Sequence, residues 1–185
     1  MKNSNFKSRN TLFSLLISLI IAFSSPQMSV ADEELNIAEI NSTVLEIRQC
    51  ITDENGLRIN GQTENINSLC ISKVNNLCID RHGVDFISAR LCWDVQFSAW
   101  ERIRIEGLRK VELETGSMVS DQLMLQETLL ELHESDRLWS KERNHQCNFL
   151  AGRLGQNPSG VDKSYTCLLE TEAIRAILYL SWNKN

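Results

Sequence analysis

The chain has 185 residues, with 19 Lys and Arg against 24 Asp and Glu, a net charge of −5 and only two prolines. Nucleic-acid binding, which normally shows a basic face, is disfavoured by that balance. Sparse proline and glycine point to a helical chain, while net charge bears on encounters and not on fold.

The N-terminal ten residues are polar and carry Lys2, Lys7 and Arg9. The apolar run TLFSLLISLIIAF follows, then SSPQMSVA. A basic start, a short apolar segment and the small-x-small exit Ser29-Val30-Ala31 predict a secretory signal peptide over residues 1–31. The run is shorter than the ~20 residues that span a bilayer. The first cysteine is Cys50, which argues against a lipoprotein. The mature chain is therefore expected without a membrane span, in the periplasm or secreted. Cleavage after Ala31 leaves 16 basic against 24 acidic residues, a net of −8.

Five helical segments follow from apolar spacing. The first covers about Asp32–Ile51, with Leu35, Ile40, Val44, Ile47 and Ile51 on one face. The Asn-Gly pairs in Thr52–Asn65 are turn signals. The second runs about Ile66–Arg81 and stops at His82-Gly83. The third, about Val84–Glu114, offers Phe86, Leu91, Val95, Ile103, Leu108 and Val111 to a core, and Thr115-Gly116-Ser117 separates it from the fourth. The fourth, about Val119–Leu150, offers Met124, Leu125, Leu129, Leu132 and Trp139. Gly152–Val161 reads as a loop. The fifth runs about Asp162–Trp182, with Asp162 as its cap and Leu168, Ile174, Ile177 and Leu178 as its apolar set. Short connections between amphipathic helices predict an all-α, antiparallel bundle. Residues 32–74 form an N-terminal helix with a stapled extension and residues 75–185 the main domain, both in one compact unit.

All six cysteines lie in the exported part, and an even number there predicts three disulfides. Cys70 and Cys78 are separated by ~12 Å along one helix, beyond the ~7 Å reach of a bridge. Folding the hairpin around Gly152–Val161 brings Cys147 level with Cys167. The same logic pairs Cys50 with Cys70, and Cys78 with Cys92. Each bridge then ties consecutive helices beside their turn, worth ~3 kcal/mol apiece.

Trp139, Arg143 and Cys147 stand at i, i+4 and i+8, on one stripe of the fourth helix. Cys147 reads as a staple and Trp139 as buried against the fifth helix. Arg143 is placed to stack on Trp139 or to reach Glu170 or Glu172. His82 four residues after Cys78, and His145 beside Cys147, fall short of the ligand set of a zinc site, so no metal or cofactor is expected. No G-x-S-x-G appears. His133, Glu134 and Asp136 read as a solvated helix face, so no enzyme is expected.

The segments NLCIDRHGVDFISARLCWDVQFSAWE, LWSKERNHQC and CLLETEAIRAILYL resemble the LprI-type lysozyme inhibitor domain family over about residues 75–182. Cys78 and Cys92 match its first cysteine pair. Trp100 and Glu101 match a Trp-Asp pair, with Glu for Asp. Trp139, Arg143 and Cys147 match its third motif, with Asp136 for Gln and Asn144 for Asp. Cys167, Thr171, Arg175 and Leu178 match the last. The chain departs from the pattern where Arg104, Ile105 and Leu108 replace Leu-Asn and Tyr. The resemblance implies a small, exported, cysteine-bridged helical protein that binds and blocks lysozyme.

With the acidic mature chain, the expected partner is a basic protein, possible identity a lysozyme-type muramidase, met through complementary charge. Of the irregular segments, Gly152–Val161 is the better candidate, through Gly155, Gln156, Asn157, Pro158 and Ser159, because a neighbouring disulfide would hold both its ends. The alternative is a periplasmic interaction or assembly protein that inhibits nothing.

Overall fold

Long helical periodicities give five α-helices in the computed structural model, which describes residues 30–58, 66–154 and 158–182. They are α1 (Val30–Arg58), α2 (Ile66–His82), α3 (Phe86–Met118), α4 (Gln122–Leu154) and α5 (Pro158–Ser181). No strand occurs among the described residues. The chain divides into two units, Met1–Leu35 and Asn36–Asn185; the first is described only from Val30, as the opening of α1. Most of the expected signal peptide, residues 1–29, lies outside the described residues. Among the described helices, none is long and apolar enough to cross a membrane.

Consecutive helices run antiparallel. Arg81 at the end of α2 meets Glu39 near the start of α1, and Cys147 late in α4 meets Cys167 early in α5. The α2–α3 and α4–α5 connections therefore share one end of the bundle, and α1–α2 and α3–α4 share the other. Asp85 caps α3, its Oδ1 accepting from the amides of Ile87 at 2.9 Å and Ser88 at 3.1 Å. Gly83, at φ +103°, closes α2 in the left-handed region that glycine enters without strain.

Several helix ends move from their sequence positions. Asn55-Gly56 lies inside α1 and Thr115-Gly116 inside α3. The Thr115 hydroxyl donates back to the Val111 carbonyl at 2.8 Å, which lets the turn continue. The break falls three residues later, where Asp121 supplies a cap by accepting from the Met124 amide at 2.9 Å. The expected loop Gly152–Val161 also shrinks. Gly152 belongs to α4, and Pro158 and Ser159 belong to α5. Proline suits a first helical position because its fixed φ is already helical and its missing N–H is not needed there. Asp162 is accordingly inside α5 and not its cap. Gly155, Gln156 and Asn157 lie outside the described residues.

The main core joins Val44 and Ile47 of α1, Val74 of α2, Ala99, Trp100 and Ile103 of α3, and Leu169, Ala173 and Ala176 of α5, with Cys50 and Cys70. A smaller cluster holds Leu108, Val111 and Tyr179, with Leu132 against it. Helix α5 buries a different face from the one its large side chains suggest. Leu169, Glu172, Ala173, Ala176 and Tyr179 point inward, while Ile174 and Leu178 are exposed. The alanines let α3 approach closely, and a carboxylate is accepted inside because arginines from two other helices meet it. Phe86, Leu91 and Met124, also expected in the core, are exposed.

Candidate functional site

The structure brings together Cys50 with Cys70, Cys78 with Cys92, and Cys147 with Cys167, at Cα separations of 5.7, 5.7 and 5.5 Å. Those distances lie in the ordinary range for a bridge. Two of the three sit at the end of the bundle that carries the α2–α3 and α4–α5 connections.

Trp139, Arg143 and Arg175 meet in a polar network among α3, α4 and α5. Glu172 is fully buried and accepts from Arg104 Nε at 2.7 Å and from Arg143 Nη1. Arg104 also donates to Asp136, whose other oxygen accepts from the Tyr179 hydroxyl at 2.9 Å. Arg175 donates to that hydroxyl at 3.1 Å. The guanidinium carbons of Arg104, Arg143 and Arg175 lie 5.4, 5.2 and 5.5 Å from the Trp139 ring centroid, within cation–π range. Arg143 thus does both things open to it, stacking on Trp139 and bonding Glu172, and Glu170 is exposed. Asp136 is buried here and not on a solvated face. Its partners Arg104 and Tyr179 come from other helices, so local sequence gave no sign of them.

Burial pushes the Glu172 carboxyl above its ordinary value, against the pull of Arg143 and Arg104. Burial, with the bond to Asp136, pushes the Tyr179 hydroxyl to about 12. Trp100 is fully buried in the main core. Glu101 stands at the rim, 4.0 Å from Arg104. The Thr171 hydroxyl donates to the Cys167 carbonyl at 2.6 Å, inside its own helix. Arg143 and Arg175 therefore tie α4 to α5, while Glu101 and Thr171 make their contacts within their own helices.

The other end-on feature is a tip. Val84, Phe86 and Ile87 are all largely exposed around the Asp85 cap. Beside them, Phe86, Ala89, Arg90, Trp93, Asp162 and Tyr165 line a small cleft of about 50 Å³. The Trp93 and Tyr165 rings meet edge to face, 5.7 Å between centroids. Arg90 and Asp162 add a donor and an acceptor to a lining otherwise made by Phe86, Ala89, Trp93 and Tyr165. Asp162 and Tyr165 lie in the first turns of α5. Sequence reading assigned Phe86 to the core. The available signal was apolar residues on both sides of a capping Asp, where a buried helix start would leave none outside.

Glu39, Cys78 and His82 bring ligand-type atoms within 4.8 Å of one another. Cys78 is bonded to Cys92 and offers no thiolate. Glu39 is instead engaged by Arg81 at 2.8 Å and faces His82 at 3.2 Å. Burial pushes the Glu39 carboxyl up, but Arg81 and His82 together hold it below its ordinary value.

No family model, curated protein or solved structure matches this chain.

Proposed function

We propose that this is an exported interaction protein that binds a basic protein through the tip and aromatic cleft at the α2–α3 and α4–α5 end, and that the partner is a lysozyme-type muramidase of the cell envelope, which it inhibits. The observation that carries the reading is the exposed apolar tip Val84, Phe86 and Ile87 beside a preformed aromatic cleft. Exposed apolar clusters of this kind mark interaction sites. Cys78–Cys92 and Cys147–Cys167 hold the helices on both sides, which lowers the ordering cost of binding.

The choice of partner rests on the resemblance to LprI-type inhibitors and on the net charge of −8 left by leader removal. Export to an oxidising compartment accords with three disulfides and six cysteines. Arg104 and Asp136, two positions that depart from the family pattern, bond to each other inside the scaffold. Those departures therefore leave the tip untouched.

The test is muramidase turnover on cell-wall substrate with oxidised mature protein, at low and moderate salt. Slowing that weakens with salt, and is lost in Val84→Asp/Phe86→Asp, supports the reading. No slowing and no complex at micromolar protein overturns it. Capture of a non-muramidase envelope protein by crosslinking at the tip would favour the assembly role instead.

A further inference from the structure

Helix α4 carries apolar side chains on both faces: Leu125, Leu129, Leu132 and Trp139 are half-buried on the inward one, and a second set points outward. Amphipathic helices of a bundle normally turn apolar side chains to the core and charged ones to water. Facing its neighbours, α4 buries Asp136, Arg143 and Cys147, with the half-buried leucines and Trp139 beside them. The main core draws on α1, α2, α3 and α5 and takes nothing from α4. Outward, Leu123, Leu130, Leu138 and Phe149 are 75, 62, 50 and 65 % exposed. At 3.6 residues per turn these four fall within an arc of about 100°, opposite the arc of Asp136, Arg143 and Cys147. The fold makes no use of these outward leucines.

The same face carries Glu127, Glu131, Glu134 and Glu142, all exposed. Its cations are Arg137 and Lys141, and Arg137 is already engaged by Glu134, at 2.7 and 2.6 Å. Two shallow grooves run along it and share Leu138. One is lined by Leu130, Glu131, Glu134, Ser135 and Leu138, the other by Leu138, Trp139, Lys141, Glu142 and His145.

We infer that the outer face of α4 is a second docking surface, and that its occupant is a basic amphipathic helix of a partner protein. Apolar knobs two to three turns apart beside grooves match helix-on-helix packing. The flanking carboxylates select arginines and lysines on the incoming helix. They disfavour a second copy of this chain, which would bring the same carboxylates against them. The surface lies along the side of the bundle and is independent of the tip.

The experiment titrates the oxidised protein into two fluorescent helical peptides of identical leucine pattern, one flanked by arginines and one by glutamates. Anisotropy should report binding of the arginine peptide only, weakening with salt. Leu130→Glu/Leu138→Glu should weaken it at least tenfold, as should Glu131→Lys/Glu134→Lys. All four positions are exposed, so melting curves should match those of the native protein. Val84→Asp/Phe86→Asp should leave peptide binding unchanged, which separates this surface from the tip. Equal binding of both peptides, binding of neither, or indifference to both α4 variants overturns the proposal. So does a sedimenting dimer that Leu130→Glu/Leu138→Glu dissolves, since the occupant would then be a second copy.

Discussion

Gly107 on α3 and Tyr179 on α5 pack so closely that a methyl group at 107 would sit 2.8 Å from the Tyr179 Cβ. That separation is shorter than real side chains tolerate, and the neighbouring atom is fixed to the α5 backbone. Gly107→Ala must push the two helices apart at this contact. Overpacking costs about 1–3 kcal/mol, against a helix-propensity gain of up to ~1 kcal/mol. Thermal unfolding should fall by several degrees. An unchanged or raised midpoint would mean the helices separate without loss.

The network around Glu172 should be strongly coupled. Arg104→Met removes the group that joins Glu172 to Asp136 and leaves a buried carboxylate short of a partner. Breaking a buried pair in this way costs about 3 kcal/mol or more, read by urea unfolding. Pairing it with Asp136→Leu should cost less than the two single changes added together. Additivity would show that the two groups do not interact.

Glu172 and Glu39 should give stability profiles of opposite slope in different pH windows. The Glu172 carboxyl is raised above its ordinary 4.5 by burial. Its contribution is therefore present below 4.5 and lost as pH rises through the folded value. The cost of Glu172→Gln should be largest at and below pH 4.5 and shrink towards neutrality. Glu39 is lowered from 4.5, because Arg81 and His82 outweigh burial. Its contribution is present above 4.5 and lost as pH falls through the folded value, so Glu39→Gln should cost less with increasing acidity. Denaturation of each variant beside the native chain from pH 3 to 8 reads both slopes. A Glu172→Gln cost that grows with pH would show its arginines overriding burial.

Removing the Cys147–Cys167 bridge should loosen α4 selectively. The loop spans 20 residues, so Cys147→Ser/Cys167→Ser should lose about 3 kcal/mol. Since α4 contributes no residue to the main core, its amides should exchange earlier than those of α1 and α2. Uniform acceleration across all five helices would mean that the polar network, and not the bridge, holds α4.

The sequence by itself determined the helical class, the five helices among the described residues and the exposure of many charges. These follow from spacing along one segment, and periodicity needs no knowledge of a neighbour. The cysteine pairs were accessible for a similar reason: each joins consecutive helices beside a turn, so hairpin geometry alone brings them level. Pro158, expected within the Gly152–Val161 loop, instead opens α5. Only the tertiary structure decided which face of α5 goes inward. Ile174 and Leu178 are the better hydrophobes, but Ala173, Ala176 and Glu172 fit closely against α3 and meet Arg104 and Arg143. It likewise put Asp136 and Arg143 on the inward face of α4, left Leu130 and Leu138 outside, and left Val84, Phe86 and Ile87 at a tip. A buried charge or an exposed leucine is explained by partners on other helices, and their arrival depends on how all five pack together.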